Sequence, residues 1–316
     1  MVRRSLTRRC CVLVALLACG AWQLGLAVSS AAANPPNDWS FYVAPGDSYS
    51  GAETLGCNQA HYDTSVQNES LVTLDFGAQT SNGAGTYLPS TVTYWSNGTD
   101  ELYAEWFAYG YQDCSNGDYY LELNVGTNND GSVTNGNIGG IWGSLVQTVA
   151  TNASDWGYSN VSINGAIDAE AGYSSFADVD DWMWGDSSGT GYANHTGALI
   201  ADFGTADGCP SYYTSSNLDC SGWYESDIYY LSWGWPASEA QPEIYYAGNG
   251  YANQPIQWAD ISDVGAHCCG GEIYFWASLS QNSPLSPDES YSYLVDATSH
   301  QGVGDSPSYE TQIVTK

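Results

Sequence analysis

Val161-Ser162-Ile163-Asn164-Gly165-Ala166-Ile167-Asp168-Ala169-Glu170 is the stretch on which the fold turns. Its odd positions are mostly apolar, while Asn164, Asp168 and Glu170 share the opposite face, the two-residue period of a β-strand. The strand ends in two carboxylates. Seven more short runs rich in Val, Ile, Tyr, Phe and Trp, bounded by Gly, Asn, Asp or Pro, read as strands: 71–77, 102–110, 119–126, 198–204, 227–233, 243–246 and 272–279. Leu71-Val72-Thr73-Leu74 and Ala198-Leu199-Ile200-Ala201 are apolar almost without a break, as in a parallel sheet covered on both faces.

Helices are then expected between the strands. Ile141, Leu145, Val146 and Val149 recur at helical spacing within 138–150, and a second helix is expected over 176–184, capped by Ser174 or Ser175. Eight strands with interleaved helices predict an α/β fold, a (β/α)8 TIM-type barrel with irregular outer elements. The alternative is an all-β sandwich or propeller, for which the 35 glycines and 25 tyrosines argue. Polar residues gather at the ends of the runs, which favours the barrel. Its expected span is 71–282, between an N-terminal extension over 34–70 and a polar tail over 283–316.

In a barrel, strand ends form the mouth where catalytic groups sit. Asp168 and Glu170 would stand side by side there, and neighbouring carboxylates separate their pKa values into an acid and an anion, the machinery of glycosidic cleavage. Leu74-Asp75-Phe76-Gly77 and Ala201-Asp202-Phe203-Gly204 repeat an Asp-Phe-Gly ending, adding Asp75 and Asp202. Glu122 and Asn124 form a further pair on one strand face. Trp233, Trp235, Trp258 and Trp276 lie at or beyond strand ends and offer flat rings for stacking on sugars.

The order of an early Asp-Phe-Gly strand, a central Asp-Ala-Glu strand end, Tyr229-Tyr230-Leu231-Ser232-Trp233 and Gln257-Trp258-Ala259-Asp260 resembles secreted glycoside-hydrolase-like (β/α)8 domains, and most of all lysozyme-type muramidases with an Asp-x-Glu pair. The resemblance covers about 71 to 280. It implies that Glu170 is the general acid, that Asp168 stabilises or positions the reacting sugar, and that Asp75 and Asp202 are additional mouth carboxylates.

Charge narrows the partners. Beyond residue 33 the chain has 35 acids and one lysine, Lys316, a net charge near −34. Nucleic acid and anionic membranes need basic counter-charge and are excluded as partners; a polysaccharide or other neutral glycan is the expected partner, and self-repulsion argues for a monomer. Arg3, Arg4, Arg8 and Arg9 precede an apolar stretch and Ala31-Ala32-Ala33, a secretory signal over 1–33, so the chain is expected to be secreted and extracellular. Six cysteines remain after it, Cys57, Cys114, Cys209, Cys220, Cys268 and Cys269, which reads as three disulfides. Cys209–Cys220 is the preferred pair, and separate bridges for Cys268 and Cys269 are expected over a vicinal one. No CxxC or histidine spacing suggests a metal, and no cofactor is expected. The resulting expectation is a secreted glycoside hydrolase using carboxylate general acid catalysis; the alternatives are a non-catalytic glycan-binding protein and a structural surface protein.

Overall fold

The computed structural model describes residues 34–88, 93–130, 135–185, 189–248, 253–281, 284–304 and 306–315. The expected secretory signal over 1–33 lies outside the described residues. Eight parallel strands form the barrel, with two short antiparallel strands, Gly85–Tyr87 and Trp95–Ser96, appended beside the second: β1 Asn37–Tyr42, β2 Ser70–Gln79, β3 Leu121–Asn128, β4 Val161–Asp168, β5 Ile200–Asp202, β6 Ser238–Ala240, β7 Ala277–Ser280 and β8 Tyr309–Thr315. Their order is β6-β5-β4-β3-β2-β1-β8-β7. β6 and β7 then meet through the bridges Ala240–Phe275 and Glu243–Leu279, which nearly close the sheet into a barrel. Helices α1 Tyr49–Val66, α2 Asn97–Ser115, α3 Gly136–Asp155, α4 Phe176–Trp184, α5 Glu225–Tyr229, α6 Gln254–Cys268 and α7 Pro287–Gln301 alternate with the strands. This is a TIM-type (β/α)8 barrel.

The barrel is wider in sequence than 71–282. The extension supplies β1 and α1, and the polar tail supplies α7 and β8, with Asn37 to Tyr42 paired residue by residue to Glu310 to Thr315. Polar residues mask these strands because the barrel interior is itself polar: the Ser40 and Thr311 hydroxyls hydrogen-bond at 2.9 Å, and Thr73 donates to Gln241 at 3.0 Å.

Two expected strands are helical. Residues 102–110 belong to α2, where Tyr103, Phe107 and Tyr111 repeat every fourth position on a fully buried face, and Ser96 caps the start. Residues 227–233 form α5 and a π-helical turn, Tyr230–Gly234, with Ile228, Leu231 and Ser232 buried. Residues 243–246 follow β6 and bridge through Glu243 alone. The helices over 138–150 and 176–184 are α3 and α4, the latter capped by Ser175.

Glycine lets α1 and α2 touch. A Cβ on Gly56 would stand 2.0 Å from the Phe107 carbonyl, and one on Gly110 would stand 2.0 Å from the Glu53 carbonyl. Cys57–Cys114 ties the same two helices. Cys209–Cys220 forms as preferred, whereas Cys268 and Cys269 bond to each other instead of to separate partners. Among the described residues no other cysteine remains for either once the first two bridges are made. Trp142, Trp182, Trp223 and Trp258 are fully buried.

Candidate active site

The C-terminal ends of the strands carry a concentration of acids. Asp168 ends β4 and Glu170 follows two residues later; Glu243 enters from the segment after β6. One carboxylate oxygen from each lies within 4.8 Å of the other two. No lysine or arginine exists between residue 34 and Lys316 to offset them. Burial and the surrounding carboxylates, first Glu243 and then Glu170, push Asp168 well above the usual carboxylate range. Glu243 is likewise raised by burial and by Glu170. Glu170 is raised by burial, but the Thr205 hydroxyl, donating to its Oε1 at 2.5 Å, holds the rise back.

Asn129, just beyond β3, fixes the Glu170 backbone from both sides: its Oδ1 accepts the Glu170 N–H at 3.2 Å and its Nδ2 donates to the Glu170 carbonyl at 2.8 Å. Glu170 is thus aimed by a rigid strand end although it lies on a loop. Asp168 Oδ1 is enclosed and accepts no hydrogen bond. The Tyr245 hydroxyl lies beside Glu243 and the Tyr42 hydroxyl, also without a hydrogen bond of ordinary geometry. Burial and Glu243 raise both tyrosines above their usual range, so both stay neutral.

The two Asp-Phe-Gly triplets share one local hydrogen bond, although Gly77 takes a positive φ of 76° and Gly204 does not. Asp75 Oδ1 accepts the Gly77 N–H at 2.7 Å, and Asp202 Oδ1 accepts the Gly204 N–H at 3.1 Å. Asp202 is further engaged by the Ala169 N–H at 3.4 Å and by the Ser232 hydroxyl at 2.5 Å, and so anchors the segment leading to Glu170 onto the π-helical turn. Burial lifts Asp75 to about 7 and Asp202 to about 6.

Other expected residues are elsewhere. Glu122 lies at the start of β3, at the opposite end of the barrel, where its Oε2 accepts the Asn164 amide at 2.9 Å. Asn124 is buried mid-barrel and donates to Gln241 at 3.1 Å. Trp258 is enclosed in α6 against Phe275 and presents no face to solvent. Trp276, half-buried, packs on Ala166, Ala201, Phe203, Leu279 and Ile313. Trp235 is partly exposed, stacked on Trp184 at 4.7 Å, and Trp233 leans on Tyr274. The tryptophans therefore do not converge on one platform at the mouth.

Comparison with protein-family models, with curated proteins and with solved structures finds no match. The site must be read from its own chemistry. Three residues that join it, Glu243, Tyr42 and Tyr245, carry a weak sequence signal: Glu243 opens an apolar run after Gln241-Pro242, a strand-end position like that of Asp168. Cys57, His61 and Cys114 also lie close together, but the Cys57–Cys114 bond removes both thiolates as ligands.

Proposed function

We propose that this chain is a secreted glycoside hydrolase acting on a neutral or cell-wall polysaccharide, with Glu170 as proton donor. The observation that carries the reading is the convergence of Asp168, Glu170 and Glu243 within 4.8 Å at the barrel mouth. Three like charges at that spacing do not ionise together, so at mildly acidic pH the cluster holds protons and negative charge at once. That combination supplies an acid for the leaving oxygen and an anion facing the oxocarbenium-like transition state. Glu170 is only part-buried and is oriented by Asn129 and Thr205, whereas Glu243 is enclosed; Glu170 is the member placed to reach a substrate oxygen.

The spacing also bears on stereochemistry. Inversion needs room for water between the carboxyl groups, about 6.5–9.5 Å, while retention works at about 5–5.5 Å. The nearest oxygens of the three carboxylates lie within 4.8 Å of one another, and product stereochemistry read by NMR decides between the two. The three disulfides suit an oxidising compartment, which supports export.

Reducing-end release from peptidoglycan, chitin and plant polysaccharides at about pH 4 to 6 tests this, comparing the protein with Glu170→Gln; removing a general acid costs about 100-fold to 10,000-fold in rate. Full activity in Glu170→Gln sinks the assignment. Binding to one glycan by both proteins, without cleavage by either, establishes a non-catalytic glycan-binding protein instead.

One observation favours a second reading. Asp168 Oδ1 is enclosed without a hydrogen-bond partner, and oxygen-only carboxylate clusters suit hard divalent cations. On that reading Asp168, Glu170 and Glu243 hold the ion and the glycan is bound through it.

A further inference from the structure

A second site lies at the other end of the barrel. Leu102, Glu105, Trp106 and Tyr109 on the outward face of α2 join Trp156 and Tyr158, from the segment between α3 and β4, around a cleft of about 430 Å3. Tyr158 is three residues before the start of β4, whereas Asp168 is that strand's last residue, so the cleft is remote from the acidic mouth. Trp156 is 53% exposed, and Leu102, Trp106 and Tyr109 are exposed as well. Three aromatic rings open to water beside a half-buried fourth, Tyr158, are costly to keep unless they bind something.

The ring geometry discriminates between ligands. Trp106 and Tyr109 meet edge to face, 5.6 Å apart at 89°. Trp156 and Tyr158 are 5.7 Å apart at 53°, and Tyr109 and Tyr158 are 6.5 Å apart at 40°. A sugar chain stacks on rings that lie flat along its length; rings inclined to one another around a hollow enclose a compact group. The charge points the same way. Glu105 lines the cleft at only 6% exposure, its Oε1 accepts the Asn152 amide at 2.5 Å, and the described residues include no lysine or arginine to neutralise it. Glu101 stands next to Glu105, and Asp113 adds negative charge at Tyr158.

We propose that this cleft binds an organic cation of the quaternary or alkylated ammonium type. Such a group needs no hydrogen bonds, suits apolar walls, and is attracted both by aromatic faces and by the Glu105 carboxylate. An anion is repelled, and a second copy of the same chain, itself near −34, is repelled over the whole surface. The proposal stands apart from the hydrolase reading and does not depend on it.

Calorimetric titration of the protein with tetramethylammonium and with choline tests it, alongside 3,3-dimethylbutan-1-ol, the uncharged isostere of choline. Both cations are expected to bind, the isostere at least about tenfold more weakly. Trp156→Ala and Glu105→Gln are each expected to weaken binding at least about tenfold, and Glu170→Gln to leave it unchanged. Trp156 is a surface residue, so its variant stays folded and keeps the test open if Glu105→Gln does not. Absence of binding by both cations, equal affinity for the isostere, or full affinity in Trp156→Ala overturns the proposal. Binding of chito-oligosaccharides that Trp156→Ala abolishes, with no ammonium binding, reassigns the cleft to glycan; concentration-dependent dimers broken by Trp156→Ala reassign it to a second copy.

Discussion

Asn in place of Asp75 is expected to stabilise this protein at neutral pH and to do little at pH 3. Asp75 is 2% exposed, its chief perturbation is burial, and its carboxyl is lifted from 3.8 to about 7. A carboxyl whose pKa is raised on folding binds its proton more tightly in the native state. Its contribution is therefore fully present below the unfolded value and is lost as pH rises through the folded value. At about 1.4 kcal/mol for each pH unit between the two values, the loss between pH 3 and pH 8 is at most about 4 kcal/mol. The Asn variant keeps the one hydrogen bond that matters, since its Oδ1 still accepts the Gly77 N–H that Asp75 accepts at 2.7 Å, and it never has to shed a proton. Urea unfolding of both proteins from pH 3 to pH 8 measures the difference directly. The wild-type midpoint should fall as pH rises, the Asn midpoint should fall less, and the two curves should meet near pH 3. A difference that does not change with pH, or a wild type that is more stable at pH 8 than at pH 4, refutes the reasoning.

Other consequences follow from the same geometry. Ser232→Ala, which leaves buried Asp202 Oδ2 without its 2.5 Å donor, should lower stability by about 1.5–3 kcal/mol in urea and shift the pH optimum of any hydrolysis, because Asp202 also holds the Ala169 N–H beside Glu170. Replacing both Cys57 and Cys114 by Ser opens a loop spanning 57 residues and should cost about 4 kcal/mol, against about 3 for Cys209 and Cys220, 11 apart, and much less for Cys268 and Cys269; comparing thermal or urea midpoints ranks them. If the mouth holds a divalent cation, calcium or manganese should raise the melting temperature and Asp168→Asn should abolish the rise; an equal rise in the Asn protein means the ion binds elsewhere. Gly110→Ala should loosen the α1–α2 contact, since its Cβ would meet the Glu53 carbonyl, and lower the unfolding midpoint in urea.

The outer face of α2 explains the clearest misreading. A helix usually reveals itself by one apolar and one polar face, but here Tyr103 and Phe107 fill the core while Leu102, Trp106 and Tyr109 line the ammonium cleft. Aromatics on both faces erase the helical period, and residues 102–110 then look like a strand. The π-helical turn hides residues 227–233 for a related reason, its five residues shifting the register between Tyr229 and Trp235.

Sequence alone determined β2, β3, β4, β5 and β7, the helices α3 and α4, the Asp168–Glu170 strand end, the absence of counter-charge and an even count of cysteines beyond residue 33, because these rest on local periodicity and composition. Tertiary structure alone decided that polar β1 and β8 belong inside the barrel, that Glu243 and Tyr245 join Asp168 and Glu170, and that Glu122 sits at the far end. Those are facts of registry between strands distant in the chain, where a residue's role depends on which strand end it occupies and on what a closed barrel brings beside it.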